Sequence, residues 1–194
     1  LPIPEDSCLV SPAEYARSLM AKRLPAPCSG SSTGFRIPED QYNAAMLSIN
    51  ALQRLWEYAA ANGKLHAFRS RANLIELLAE VPPEIVERFF FHGPGGSGKT
   101  YFMTEVVLPV YKKYCPGCTR GFASQNSAAR LIGGATFHYM GGLTRQQAMT
   151  GKKPSFEALR KAKLLWAHLV LAMIDEASLC DPQLHAVVSD RACW

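Results

Sequence analysis

The run Gly93-Pro94-Gly95-Gly96-Ser97-Gly98-Lys99-Thr100 constrains this chain more than any other stretch. It satisfies every fixed position of the pattern G-x-x-x-x-G-K-[ST]. Glycines at these places let backbone N–H groups turn inward around phosphate oxygens with no Cβ atoms in the way. A helix starting at Gly98-Lys99 adds the positive end of its dipole to the same anion. On this reading Lys99 reaches the β- and γ-phosphates of ATP, and the Thr100 hydroxyl ligates Mg²⁺. A chance glycine turn is the alternative, and the flanking context argues against it. Arg88–Phe91 is an apolar run suited to a buried strand. Thr100–Tyr114 reads as a helix with Phe102, Val106 and Val110 facing inward, which Pro109 should kink or shorten.

A second signal lies about 75 residues downstream. The apolar run Leu169–Ile174 ends in Asp175 and Glu176. Ligand sites of doubly wound sheets lie at the carboxyl ends of strands, where these acids fall. Asp175 is expected to hold Mg²⁺ through water, and Glu176 to orient or deprotonate the attacking water. Alone, the two acids would read equally well as a strand end with a helix-capping group. Gly121–Ser124 is a further candidate strand, and Ser155–His168 an amphipathic helix with Phe156, Leu159, Leu164 and Leu165 on its apolar side. Strands alternating with helices imply an α/β domain with a mainly parallel sheet.

Upstream of the glycine run the chain changes character. Residues 1–37 are rich in Pro, Ser and Gly, and are expected to be partly disordered. Within them Ser11-Pro12-Ala13-Glu14 is a capping box opening a short local helix to about Leu24. Residues 38–87 read as a helical lead-in. Tyr42, Ala45, Met46, Ile49, Leu52, Leu55, Trp56 and Ala59 share one helical stripe ending near Gly63, and Arg71–Glu80 is a second helix stopped by Pro82-Pro83. Residues 88–194 then form the nucleotide-binding domain. The first residue is Leu1 and no closing element follows Arg191, so the chain reads as a piece of something longer.

The net charge of +5 over 194 residues fits a polyanionic partner without demanding one. No apolar run reaches the ~20 residues of a membrane span, and no signal peptide is evident. The six cysteines are scattered, which suits reduced thiols inside a cell. Cys115-Pro116-Gly117-Cys118 has zinc-knuckle spacing but lacks a second pair, so a tight turn between helix and strand is favoured.

Three stretches together resemble the petite-integration-frequency DNA helicases, of the RecD-like branch of superfamily 1, with the Helitron transposon helicases as relatives. They are Phe91–Thr100, the segment Ala123–His138 with its Gly133-Gly134-Ala135-Thr136-Phe137-His138 element, and Ile174-Asp175-Glu176-Ala177-Ser178. The resemblance covers residues 88–182. It implies the first, truncated RecA-like domain of a P-loop NTPase, using ATP and Mg²⁺. By position it makes Ser124, Thr136 and His138 contacts to single-stranded DNA, and Gln41 the glutamine that reads adenine, with an insertion around residues 60–85. It implies a 5′–3′ motor of DNA repair, recombination or telomere maintenance in nucleus or mitochondrion. It also implies that a second RecA-like domain of the same protein supplies arginine fingers, so the isolated chain should bind Mg-ATP but hydrolyse it poorly.

Several residues keep two readings. Gln41 is equally an exposed polar residue near a helix start. Phe137 could stack on a base, though core packing is favoured, and His138 is evenly balanced between ligand and structure. Lys152, Lys153, Arg160, Lys161 and Lys163 could track phosphates, with a solvated helix face favoured. The rival functions are another P-loop ATPase of the AAA type, a nucleotide kinase (disfavoured for want of an arginine-rich lid), or a non-enzymatic remnant of a mobile-element helicase.

Overall fold

The structure, a computed structural model, describes residues 10–23, 39–85, 97–150, 152–166 and 169–175, together with Pro182 and Ala186. The strand expected over Arg88–Phe91, the glycines up to Gly96 and the acid Glu176 lie outside the described residues. The chain divides into two units, Leu1–Gly117 and Cys118–Trp194.

The first unit is helical in its described parts. Helix α1 (Pro12–Arg23) opens on the capping box: the Ser11 N–H donates to a Glu14 carboxylate oxygen at 3.1 Å, and the Glu14 N–H to Ser11 Oγ at 3.4 Å. Its Ala13, Ala16 and Met20 are buried. The Ala13 N–H donates to Gln53 Oε1 of the next helix at 3.1 Å, and the Tyr114 hydroxyl donates to the Val10 carbonyl. Far from being merely local, α1 is packed into the unit, because its alanine face lets it approach closely. Helix α2 (Glu39–Ala61) buries Ala45, Ile49, Leu52, Leu55 and Ala59, the expected stripe, while Tyr42 at its start is 37% exposed. It ends at Gly63. A 3₁₀ turn (Leu65–Arg69) leads to Ser70, whose side chain accepts the Asn73 N–H at 3.2 Å and caps α3 (Arg71–Glu80). Pro82-Pro83 stop α3, and a 3₁₀ turn follows at Pro83–Ile85.

The helix after the glycine loop is continuous but changes pitch. It runs as α4 (Lys99–Phe102), a π-turn (Met103–Val107) and α5 (Leu108–Tyr114). Pro109 has no N–H to donate, and its ring would strike the carbonyl four residues back in a regular helix. The π-turn absorbs this, with the Leu108 N–H bonding to Met103 instead. Thus Pro109 neither breaks nor shortens the helix, and Phe102, Val106 and Val110 are buried as expected. Each such side chain contributes about 1.5–3 kcal/mol by leaving water.

The second unit holds β1 (Thr119–Ala123), α6 (Asn126–Leu131), β2 (Ala135–Thr136), α7 (Phe137–Gly141), α8 (Arg145–Thr150), α9 (Phe156–Trp166) and β3 (Leu171–Asp175). The three strands form a parallel sheet in the order β2-β1-β3, so the α/β expectation holds for the described residues. Gly134 makes the first pairing possible: a Cβ there would collide with the Gly121 carbonyl. The Cys115–Cys118 stretch is the expected turn, with both cysteines buried and Gly117 at φ 73°. The Cys118 carbonyl accepts the N–H groups of Val170 and Leu171 at 2.8 and 3.2 Å, which starts β3 alongside β1.

The core of this unit is Phe122, Phe137, Met140 and Trp166. The Trp166 ring stacks on Phe122 with centroids 5.2 Å apart, and its Nε1–H donates to the Met140 carbonyl at 2.9 Å. Helix α9 corrects the sequence reading in part: Leu165 packs against this core as expected. Ala162 and Trp166 are its buried residues, whereas Phe156 is 84% and Leu164 62% exposed. The small Ala158–Ala162 side lies so close to Gly142 that a Cβ there would sit 2.8 Å from the Ala158 carbonyl oxygen. The inward face combines one large ring, Trp166, with small residues where α9 passes close to Gly142.

Candidate nucleotide and nucleic-acid sites

In the first unit, the described end of the glycine loop meets the start of α2. Gly98 adopts φ 77°, a left-handed conformation that side chains resist, and immediately precedes α4. The Gln41 side-chain amide donates to the Ser97 carbonyl. A Cβ at Gly98 would stand 2.6 Å from Gln41 Nε2, so the two segments touch. Lys99 Nζ donates to Ser97 Oγ at 3.3 Å, and Lys99 and Thr100 are both half-buried. Of the expected nucleotide-binding residues, the structure therefore brings together Gln41, Ser97, Gly98 and Lys99, with Thr100 next in the helix. Gly93, Pro94, Gly95 and Gly96 lie outside the described residues.

In the second unit, the sheet brings another group together. Ala123 pairs in register with Thr136 of β2 and with Asp175 of β3. The strands are parallel, so Ser124, Thr136 and Asp175 all fall at their carboxyl edge, with neighbouring strands about 4.8 Å apart. The Ser124 hydroxyl oxygen is buried there without a hydrogen-bond partner among the described residues. Thr136 has local work: its hydroxyl accepts the Tyr139 N–H at 3.4 Å and caps α7. His138 is half-buried in the first turn of that helix.

Phe137 is fully buried against Phe122 and Met140, which settles it as core. Tyr139 was missed. It is 62% exposed beside His138, and the inward turn of Phe137 and Met140 on a short helix was the available signal. Among the described residues, no three His, Cys, Asp or Glu side chains gather into a metal cage, and no helix is long and apolar enough to cross a membrane.

The described elements define an α/β protein with a parallel sheet and polar residues at its carboxyl edge. No family model matches the chain, and no solved structure matches it. Among curated proteins it is similar to the ATP-dependent DNA helicase PIF1 of Emericella nidulans. The two are 30% identical over a 125-residue alignment that takes in 60% of this chain and 16% of that helicase. The chain thus spans only a small part of the relative it matches.

Proposed function

We propose that the chain carries the nucleotide-binding, RecA-like part of an ATP-dependent DNA helicase of the petite-integration-frequency type. In this reading the backbone of Gly93–Thr100 cradles the ATP phosphates, Lys99 neutralises the β- and γ-oxygens, and Gln41 reads the adenine edge. Thr100 and Asp175 are hard oxygen donors, a hydroxyl and a carboxylate, of the kind Mg²⁺ takes while keeping several waters. The Mg-ATP complex supplies the phosphoryl group whose loss drives the motor. Glu176 orients the attacking water, and Ser124, Thr136 and His138 hold the single strand.

The observation that carries this reading is the shared carboxyl edge of β1, β2 and β3. One register line runs from Asp175 through Ala123 to Thr136, with Ser124 next in the chain after Ala123, so the acid shares this edge with two of the residues assigned to DNA. The contact of Gln41 with Ser97 and Gly98 supports the adenine assignment from the other unit. The likeness to a DNA helicase favours this reading over an AAA-type ATPase.

Coupling is the test. Binding of a labelled oligo(dT) is titrated with and without a non-hydrolysable Mg-ATP analogue. The reading predicts a several-fold change in DNA affinity, and by linkage an equal change in nucleotide affinity. Equal affinities in both titrations would reduce the chain to a nucleotide binder with no motor coupling.

A further inference from the structure

We infer that the outward face of α9, with the lysines just before it, is a second contact for single-stranded nucleic acid, separate from the carboxyl edge of the sheet. Phe156, Arg160 and Leu164 follow one another at spacings of four residues, a single stripe along the helix. All three are exposed, Phe156 at 84% and Leu164 at 62%. The opposite side of α9 is already filled by Ala162 and Trp166, so this stripe is not needed for the core.

Charge selects the occupant. Lys152, Lys153, Arg160, Lys161 and Lys163 crowd into residues 152–163 against one acid, Glu157. That acid is held by Lys161 at 2.9 Å, whose hydrogen bond and then charge keep its carboxyl below the usual range. Lys152, Lys153, Arg160 and Lys163 are exposed around the stripe. An exposed aromatic ring set among cations suits a partner that carries both flat apolar faces and regular negative charge. A single strand has both, its bases stacking on Phe156 while phosphates meet the cations. Phe156 and Leu164 are about 12 Å apart along the axis at 1.5 Å per residue. The inference rests on the single-strand partner proposed above, but not on the nucleotide site.

The experiment titrates labelled oligo(dT) into the native chain, Phe156→Ala, and Arg160→Ala with Lys163→Ala, over a range of salt and without nucleotide. All three positions are exposed, and thermal melting checks that the variants fold. Phe156→Ala is expected to weaken binding about tenfold, within the range for one stacked base, and to leave the salt dependence unchanged. The double variant is expected to lower the slope of log K against log salt by about 1.4, at about 0.7 per lost phosphate contact. Native-like affinity and slope in both would overturn the inference and leave the carboxyl-edge reading standing. Polyglutamate displacing the strand equally well, with Phe156→Ala inert, would also overturn it and assign the face to an acidic protein partner. If the native chain binds no oligonucleotide the inference fails, and loss of nucleotide binding in Lys99→Ala would still uphold the nucleotide half of the proposed function.

Discussion

Gly98 shows how much one residue can carry. Its φ of 77° and the 2.6 Å separation between an added Cβ and Gln41 Nε2 set two demands at one point. An alanine there must strain the backbone and push Gln41 off the Ser97 carbonyl. Gly98→Ala is expected to cost about 1 kcal/mol or more in stability, and to abolish nucleotide-analogue binding, both read by thermal melting with and without ligand. Sequence pattern alone singled out Gly98 and Lys99 as candidates, because the phosphate motif is local. It left Gln41 undecided, since the partner in the fold stands 56 residues away and only tertiary structure closes that gap. Tyr114 makes a different point. Burial foremost, then Tyr15 and Glu14, push its phenol from 10.0 up to about 12, and burial likewise raises Tyr111. Both groups stay neutral in the folded state at a pH where the unfolded chain would ionise them. Stability is therefore held below pH 10 and falls as pH rises from there towards 12. Tyr114→Phe should flatten that loss in urea melts at pH 9–11. It should also cost about 1 kcal/mol at neutral pH, for the hydrogen bond to the Val10 carbonyl.

Elements were legible where their signals are local. The capping box fixed the start of α1, Pro82-Pro83 the end of α3, and the apolar run the position of β3. Two elements were misread in part, for physical reasons. Pro109 was expected to kink or shorten its helix; the helix is not shortened, because a π-turn just before the proline supplies the extra residue needed to carry the ring, an option that composition does not reveal. On helix α9 Leu165 packs against the core as expected, but Phe156 and Leu164 face outward, while Trp166 fills the core and Ala162 is buried where the helix passes close to Gly142. The Gly133-Gly134 pair sits within the helicase-like segment, yet its visible role is packing. Gly134 lies against the Gly121 backbone, so the β1–β2 pairing depends on its missing side chain. Gly134→Ala should part β2 from β1 and destabilise the second unit by about 1–3 kcal/mol through overpacking. Amide exchange would show it as lost protection at Phe122 and Ala123, while α2 and α5 keep theirs.

At the scale of the whole chain, the proposed function calls for polyanions of two kinds, a nucleotide and a nucleic acid, and the mild positive charge fits both without demanding either. Residues 118–194 carry nine Lys and Arg against five Asp and Glu, so most of the net charge of +5 belongs to the unit that holds the DNA-assigned edge and α9. The parallel sheet was foreseeable from alternating strands and helices. Its strand order was not, because order depends on pairings between segments far apart in sequence. The central claim is the proposed one, that Gly93–Thr100 binds the phosphates of ATP and that Asp175 contributes to its Mg²⁺. Equilibrium binding of a fluorescent ATP analogue, with and without Mg²⁺, tests it directly in the native chain, Lys99→Ala and Asp175→Asn. The account predicts Mg²⁺-dependent binding by the native chain, loss in Lys99→Ala, and a weakened Mg²⁺ dependence in Asp175→Asn. Equal binding by all three, or none by the native chain, would contradict it.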